Sequence, residues 1–190
     1  MKEVKLRIMS IVHGKSEFYL SNSIKSNLKI KHEIIAKDRG KHSIQVNSIL
    51  QILNDKRFKT FNNFIKAFPD IEIKKKKLIH FKLFIIMDLD DCNEIQKKNY
   101  LSKEMFKKHW LYEYIIPIYN DPNLEYTMKD IGVDVQNKKE YIRIFPTNHG
   151  DLNIDIAKEF YNKLKTSKKS NLSEYIKYCL DIVESDANSF

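Results

Sequence analysis

The stretch Phe84-Ile85-Ile86-Met87-Asp88-Leu89-Asp90-Asp91 constrains this chain more than any other. Leu83 to Met87 is an unbroken apolar run, which reads as a buried strand. It stops in three acidic residues within four positions. Burying an unpaired carboxylate costs several kcal/mol, roughly, so such a strand end needs a cation or exposure to water. Ligands of open α/β sheets sit beyond the carboxyl ends of the strands. A divalent ion such as Mg2+, held by one or two carboxylates and completed by water and phosphate oxygens, suits that position. For Asp91 the alternative is a cap on the helix that follows.

The flanking segments fit a sheet with helices on its faces. Val4 to Val12 reads as a first strand ending at His13-Gly14. Lys15 to Leu28 carries Phe18, Tyr19, Ile24 and Leu28 at helical spacing, with Ser16 as its cap and Glu17 in its first turn. Ile30 to Ala36 reads as a second strand. Lys37-Asp38-Arg39-Gly40-Lys41 follows as a charged loop whose basic side chains and free N–H groups suit a phosphate. His42 to Leu53 and Phe58 to Phe68 read as helices, the second ended by Pro69. Lys74 to Lys77 reads as a solvated loop. Glu94 to Lys108 reads as a polar helix with Ser102 capping its second half. Leu111 to Tyr119 is a strand that Pro117 assigns to an edge or a strand end. Asn120-Asp121-Pro122-Asn123 is turn chemistry before a short helix that opens at Leu124-Glu125 and closes at Gly132. Tyr141 to Phe145 reads as a last short strand. His149-Gly150-Asp151 reads as a turn and cap leading into Asn153 to Leu164, the first of two amphipathic helices; the second is Leu172 to Val183. This alternation predicts an α/β fold with a mostly parallel sheet and helices on both faces. Residues 1–150 form the α/β core, and 151–190 a C-terminal helix pair packed on the same domain.

Charge narrows the class of partner. Lys and Arg number 34 against 25 acidic residues, a formal charge of +9, which favours nucleic acid first and an anionic membrane surface second. A Lys-, Asn- and Ile-rich composition also follows from an AT-rich genome, so most lysines are bystanders. Cys92 and Cys179 lack metal-ligand spacing and point to a reducing compartment. With no signal peptide and no apolar run near about 18 residues, a soluble cytoplasmic protein without a membrane span is expected. Trp110 and the other aromatics read as core, and His32, His80 and His109 carry no motif.

Parallel strands bring their ends to one edge, and there Glu17, Asp88, Asp90 and Glu125 converge. Convergent carboxylates bind one or two divalent ions and support in-line displacement at phosphorus. The residues Ile11-Val12-His13-Gly14-Lys15-Ser16-Glu17, with Asp88-Leu89-Asp90 far downstream, resemble the TOPRIM domain. That domain carries an acidic-Gly motif after its first strand and Asp-x-Asp after its third. The likeness is to its nuclease-type branch, the OLD-like and RloB-like proteins of bacterial phage defence and abortive infection. Gly40-Lys41 matches that branch's Gly-Lys loop, and Asp121-Pro122-Asn123-Leu124-Glu125 loosely matches its Asn-Pro-x-x-Glu segment. The resemblance spans roughly residues 4 to 145.

The resemblance implies a Rossmann-like fold and a Mg2+- or Mn2+-dependent nuclease acting on DNA or RNA. It implies catalysis by His13, Glu17, Asp88 and Asp90, metal binding by Glu17, Asp88, Asp90 and Glu125, and phosphate contacts from Lys15, Arg39 and Lys41. An ATPase partner protein is also implied by the resemblance; these 190 residues themselves hold no Gly-x-x-x-x-Gly-Lys-Ser/Thr phosphate loop. Oligomeric state stays open, a homodimer included. The departure is His13, which stands where the family has a glutamate. A histidine there is read as a base or an extra ligand suited to Mn2+. The other reading is a site that binds nucleic acid or a partner without turnover. A second alternative is a small-molecule phosphoryl-transfer enzyme using the same carboxylates.

Overall fold

Strands with nearly continuous apolar runs, such as Ile8–Val12 and Lys82–Asp88 here, must be covered on both faces, and this chain covers them with helices. The computed structural model describes residues 5–135 and 140–187. In chain order they form β1 (Ile8–Val12), α1 (Lys15–Leu28), β2 (His32–Ile35), α2 (Ile49–Leu53) and α3 (Phe61–Ala67). Then come β3 (Ile73–Lys74), β4 (Lys77–Leu78), β5 (Lys82–Asp88), α4 (Glu94–Leu101), β6 (Ile115–Asn120) and α5 (Leu124–Asp130). The chain closes with α6 (Tyr141–Ile144), α7 (Asp155–Leu164) and α8 (Leu172–Ala187). The main sheet runs β2-β1-β5-β6 with every pairing parallel. The fold is the expected α/β, Rossmann-like, with helices on both faces and a C-terminal helix pair.

Period-two alternation sorts the strand residues between two cores. Ile8, Val12, Phe84 and Ile86 face α1, α7 and α8, packing with Leu20, Ile24, Phe160 and Tyr175. Met9, Ile11, Leu83, Ile85 and Met87 face the other way, onto α2, α3 and α4 through Leu53, Phe64 and Tyr100. The C-terminal pair therefore shares one core with α1. Pro117 lies on β6, an edge strand, as its missing N–H requires. Asn171 covers that edge: its Oδ1 accepts from Tyr119 N–H at 2.9 Å, and its Nδ2 donates to Pro117 O at 3.1 Å. Trp110 packs between Phe61, Phe64 and Tyr114 and donates to Phe58 O at 2.7 Å, a structural role. Both cysteines are free thiols. Among the described residues no helix is long and apolar enough to cross a membrane.

Several elements differ from the sequence reading. The first strand begins at Ile8, and Val4 lies outside the described residues. Tyr141 to Phe145 forms a helical turn rather than a strand, because its two buried rings are four apart. They stack at 5.5 Å, which a period of two cannot achieve. His42 to Gln45 is not helical: Ile44 donates its N–H to His13 O at 2.7 Å, tying this segment beside the end of β1. Only Ile49–Leu53 of the expected helix is α-helical. The polar helix stops at Leu101, and Ser102 is its C-cap, with Lys103 at φ 64 turning the chain away. Asn93, not Asp91, caps that helix, accepting from Gln96 N–H at 2.9 Å. The lysine run is a tight hairpin, with Lys75 and Lys76 at φ 50 and 59 between β3 and β4. The first C-terminal helix opens at Asp155, beyond the reach of Asp151 as a cap.

Candidate functional site

The strand register sets the site. Asp88 lies level with Asn120, so β5 and β6 end together, and β1 ends at Val12, level with Ile86 two residues earlier. His13 continues β1 by one bond, donating its N–H to Ile86 O at 2.8 Å. Beyond that edge His13, Gly14, Lys15, Ser16, Glu17, Gly40, Lys41, Ser43, Asp88 and Glu125 line a cavity of about 280 Å3. A larger cleft of about 650 Å3 sits at the amino ends of the strands, between Arg7, His80 and Tyr178. Its lining includes Glu113, Asp181 and Asp186, of which Asp181 pairs with Lys177 at 2.8 Å and Asp186 with Arg7 at 2.7 Å, whereas the smaller cavity holds the buried carboxylates Glu17 and Asp88.

Glu17 is the anchor of the first turn of α1. The helix cap is Gly14, not Ser16: Glu17 reaches back and its Oε2 accepts the Gly14 N–H at 2.9 Å. Its other oxygen, Oε1, is buried without a hydrogen-bond partner, and the residue is only 2% exposed. Burial raises the carboxyl above its ordinary range, and nearby Glu125 adds to this, while His13 opposes it.

Asp88 ends β5 on the same face as Phe84 and Ile86, so alternation points it at the α1 side. It is 6% exposed. Its Oδ1 accepts from Asn120 Nδ2 and from Leu124 N–H, each at 3.1 Å. Its Oδ2 stands 3.9 Å from His13 Nε2. Burial pushes its carboxyl up to about 9, with Glu17 and then Glu125 and Asp90 adding repulsion against the Asn120 hydrogen bond. His13 Nδ1 is buried without a partner. The buried phenol of Tyr141 lies beside Ser16; burial and then the carboxylates of Glu125, Glu17 and Asp88 hold it well above the usual tyrosine range.

The lip of the cavity is the loop after β2. Asp38, Arg39 and Gly40 all take positive φ, at 47, 52 and 82. A Cβ on Gly40 would sit 2.7 Å from Lys15 Cα and 2.8 Å from Gly14 O. Only glycine lets this loop rest on the turn between β1 and α1. Lys15 and Lys41 stand exposed at the mouth, and Lys41 Nζ lies 3.6 Å from Asp38.

The structure brings together His13, Lys15, Glu17, Lys41, Asp88 and Glu125 of the sequence candidates. It leaves Asp90 and Arg39 outside the lining. Asp90 turns to solvent one residue past buried Leu89, and its Oδ2 accepts from Asn123 Nδ2 at 3.3 Å. Arg39 is exposed on the lip. Among the described residues no group of three or more His, Cys, Asp or Glu is disposed to hold a metal by itself. The sequence reading missed Asn120 and Asn123, which orient the two aspartates, as well as Ser43 and Tyr141. The two asparagines read only as turn residues, because their roles depend on the pairing of β5 with β6. No family model, curated protein or solved structure matches the chain.

Proposed function

We propose that the cavity binds a divalent cation and hydrolyses phosphodiester bonds of nucleic acid. One observation carries this reading: Glu17 and Asp88 are both almost fully buried at one cavity, and one carboxylate oxygen has no partner. Like charges buried together disfavour ionisation, and a cation between them relieves the cost.

The donor set fits such an ion. Mg2+ is bound through one or two carboxylates and keeps water and substrate phosphate elsewhere, so it needs no three-residue cage. Glu17 Oε1 and Asp88 Oδ2 would hold it, with Glu125 beside them. An imidazole at His13 favours Mn2+ over Mg2+. When bound, the ion supplies positive charge to the phosphate oxygens. In hydrolysis a water oxygen joins phosphorus, one bridging P–O bond breaks, the water gives up a proton and the departing oxygen gains one. His13 takes the water's proton. Lys15 and Lys41 neutralise phosphates at the mouth, Arg39 and the net charge of +9 draw in a polyanion, and Asp90 stays at the rim. The resemblance adds the setting of phage defence with an ATPase supplied in trans.

The test incubates wild type and an Asp88→Ala/Asp90→Ala variant with DNA and RNA in Mg2+ or Mn2+. Cleavage by wild type alone, stopped by EDTA, is the expected result. His13 in place of a glutamate favours a second reading, a module that binds without turnover. Salt-sensitive binding with no cleavage in either metal supports that one. Hydrolysis of a small phosphate ester by a protein that ignores polymers overturns both.

A further inference from the structure

We propose that this site takes its phosphodiester from an unpaired strand, either single-stranded nucleic acid or an unpaired segment, and not from the interior of a duplex. The inference rests on the nucleic-acid reading above and names its substrate class. Three observations lead to it.

The first is recess. Glu17 and Asp88 are 2% and 6% exposed, at a cavity of only about 280 Å3. A duplex is stiff over about 150 base pairs and presents its phosphates on a convex surface. Bringing one of them to buried carboxylates means pushing that surface into a cavity of nucleotide size. A single strand turns its backbone freely and enters one nucleotide at a time.

The second is the rigidity of the rim. Gly40 sits on the backbone of Gly14 and Lys15 with no room for a Cβ. Ile44 is bonded to His13 O on the far side of the same loop. Lifting the lip to widen the mouth breaks that hydrogen bond and that close packing together.

The third is what stands outside. Among the described residues, two of the large apolar side chains most open to water are Tyr126 and Ile142, at 59% and 57% exposure. Tyr126 directly follows Glu125 in the first turn of α5, and Ile142 directly follows Tyr141, the phenol that feels the cavity's carboxylates. Lys15 and Lys41 are exposed residues of the cavity lining, and exposed Lys37 and Arg39 belong to the loop that leads into Lys41. Exposed basic side chains together with an exposed aromatic ring are the means by which single strands are held, through phosphate contacts and base stacking. The bases of a duplex are already stacked on one another and gain nothing from that ring.

The experiment uses the full chain with Mg2+ or Mn2+ and labelled oligonucleotides of one sequence: a DNA strand, an RNA strand, a blunt DNA duplex, and a duplex with an unpaired central segment. Anisotropy reads binding and gels read the cut positions, for wild type and Tyr126→Ala. The expected result is tighter binding of the single strands than of the blunt duplex, with any cuts confined to unpaired nucleotides. Tyr126→Ala, an exposed position, weakens single-strand binding by about tenfold and leaves duplex binding unchanged. Single-strand preference with no cutting by either metal removes the hydrolytic reading and leaves this inference standing. Equal or tighter binding of the blunt duplex, cuts inside it, or no binding of any oligonucleotide overturns it. The DNA and RNA arms decide between the two sources of the strand.

Discussion

Asp88→Asn makes the metal-free protein more stable at neutral pH. The folded chain holds the Asp88 carboxyl at about 9, against about 4 for an unfolded chain. Between those values the folded state keeps a proton that the unfolded state has lost. This carboxyl's contribution to stability is therefore full below about pH 4 and falls as pH rises toward about 9. By about pH 7 the loss reaches, at most, about 4 kcal/mol. Asparagine keeps an oxygen to accept from Asn120 Nδ2 and Leu124 N–H, so the fold loses no partner. A change of 1 kcal/mol moves the melting temperature of a chain this size by about 2–4 °C. In EDTA the variant therefore melts up to about 8–16 °C above wild type near pH 7, and the gap closes toward about pH 4. Thermal melts in steps of pH read both. Adding Mn2+ or Mg2+ raises the wild-type midpoint and leaves the variant's where it was. A variant that melts level with wild type, or below it, from about pH 5 to 8 refutes the account of a carboxylate held neutral by burial and by Glu17.

Other substitutions test the supports of the cavity. Gly40→Ala meets both a positive φ and the backbone of Gly14 and Lys15, whereas Gly132→Ala meets only a positive φ, with open space around it. Urea unfolding therefore shows a cost of about 1 kcal/mol at Gly132 and more than about 2 kcal/mol at Gly40. Asn171→Ala strips the cover from the edge strand, costs about 1–3 kcal/mol by the same assay, and increases light scattering at high concentration. Replacing Lys75-Lys76 by Asn-Gly suits the two positive φ angles of that hairpin and stabilises the chain by about 1 kcal/mol.

The layout of the fold was legible in the chain because burial on both faces of a parallel strand leaves an unbroken apolar run, and Leu83 to Met87 is one. The bounds of helix α1 were legible from the Gly14 turn and the apolar spacing, although its cap was read as Ser16 and is Gly14. His13, Glu17 and Asp88 each follow or end such an element, so their meeting followed from parallel pairing alone. What the sequence could not determine is anything set by register or by a neighbour. Asp90, one residue past a buried leucine, swings out of the cavity while Asp88 stays in, and no property of an aspartate distinguishes the two. Asn120 orients Asp88 only because the two strands end level. Residues 141–145 read as a short strand, yet two stacked rings four apart hold them in a helical turn. Local preferences are weak beside the burial of an aromatic side chain, and the partner that completes the burial lies far away in the chain.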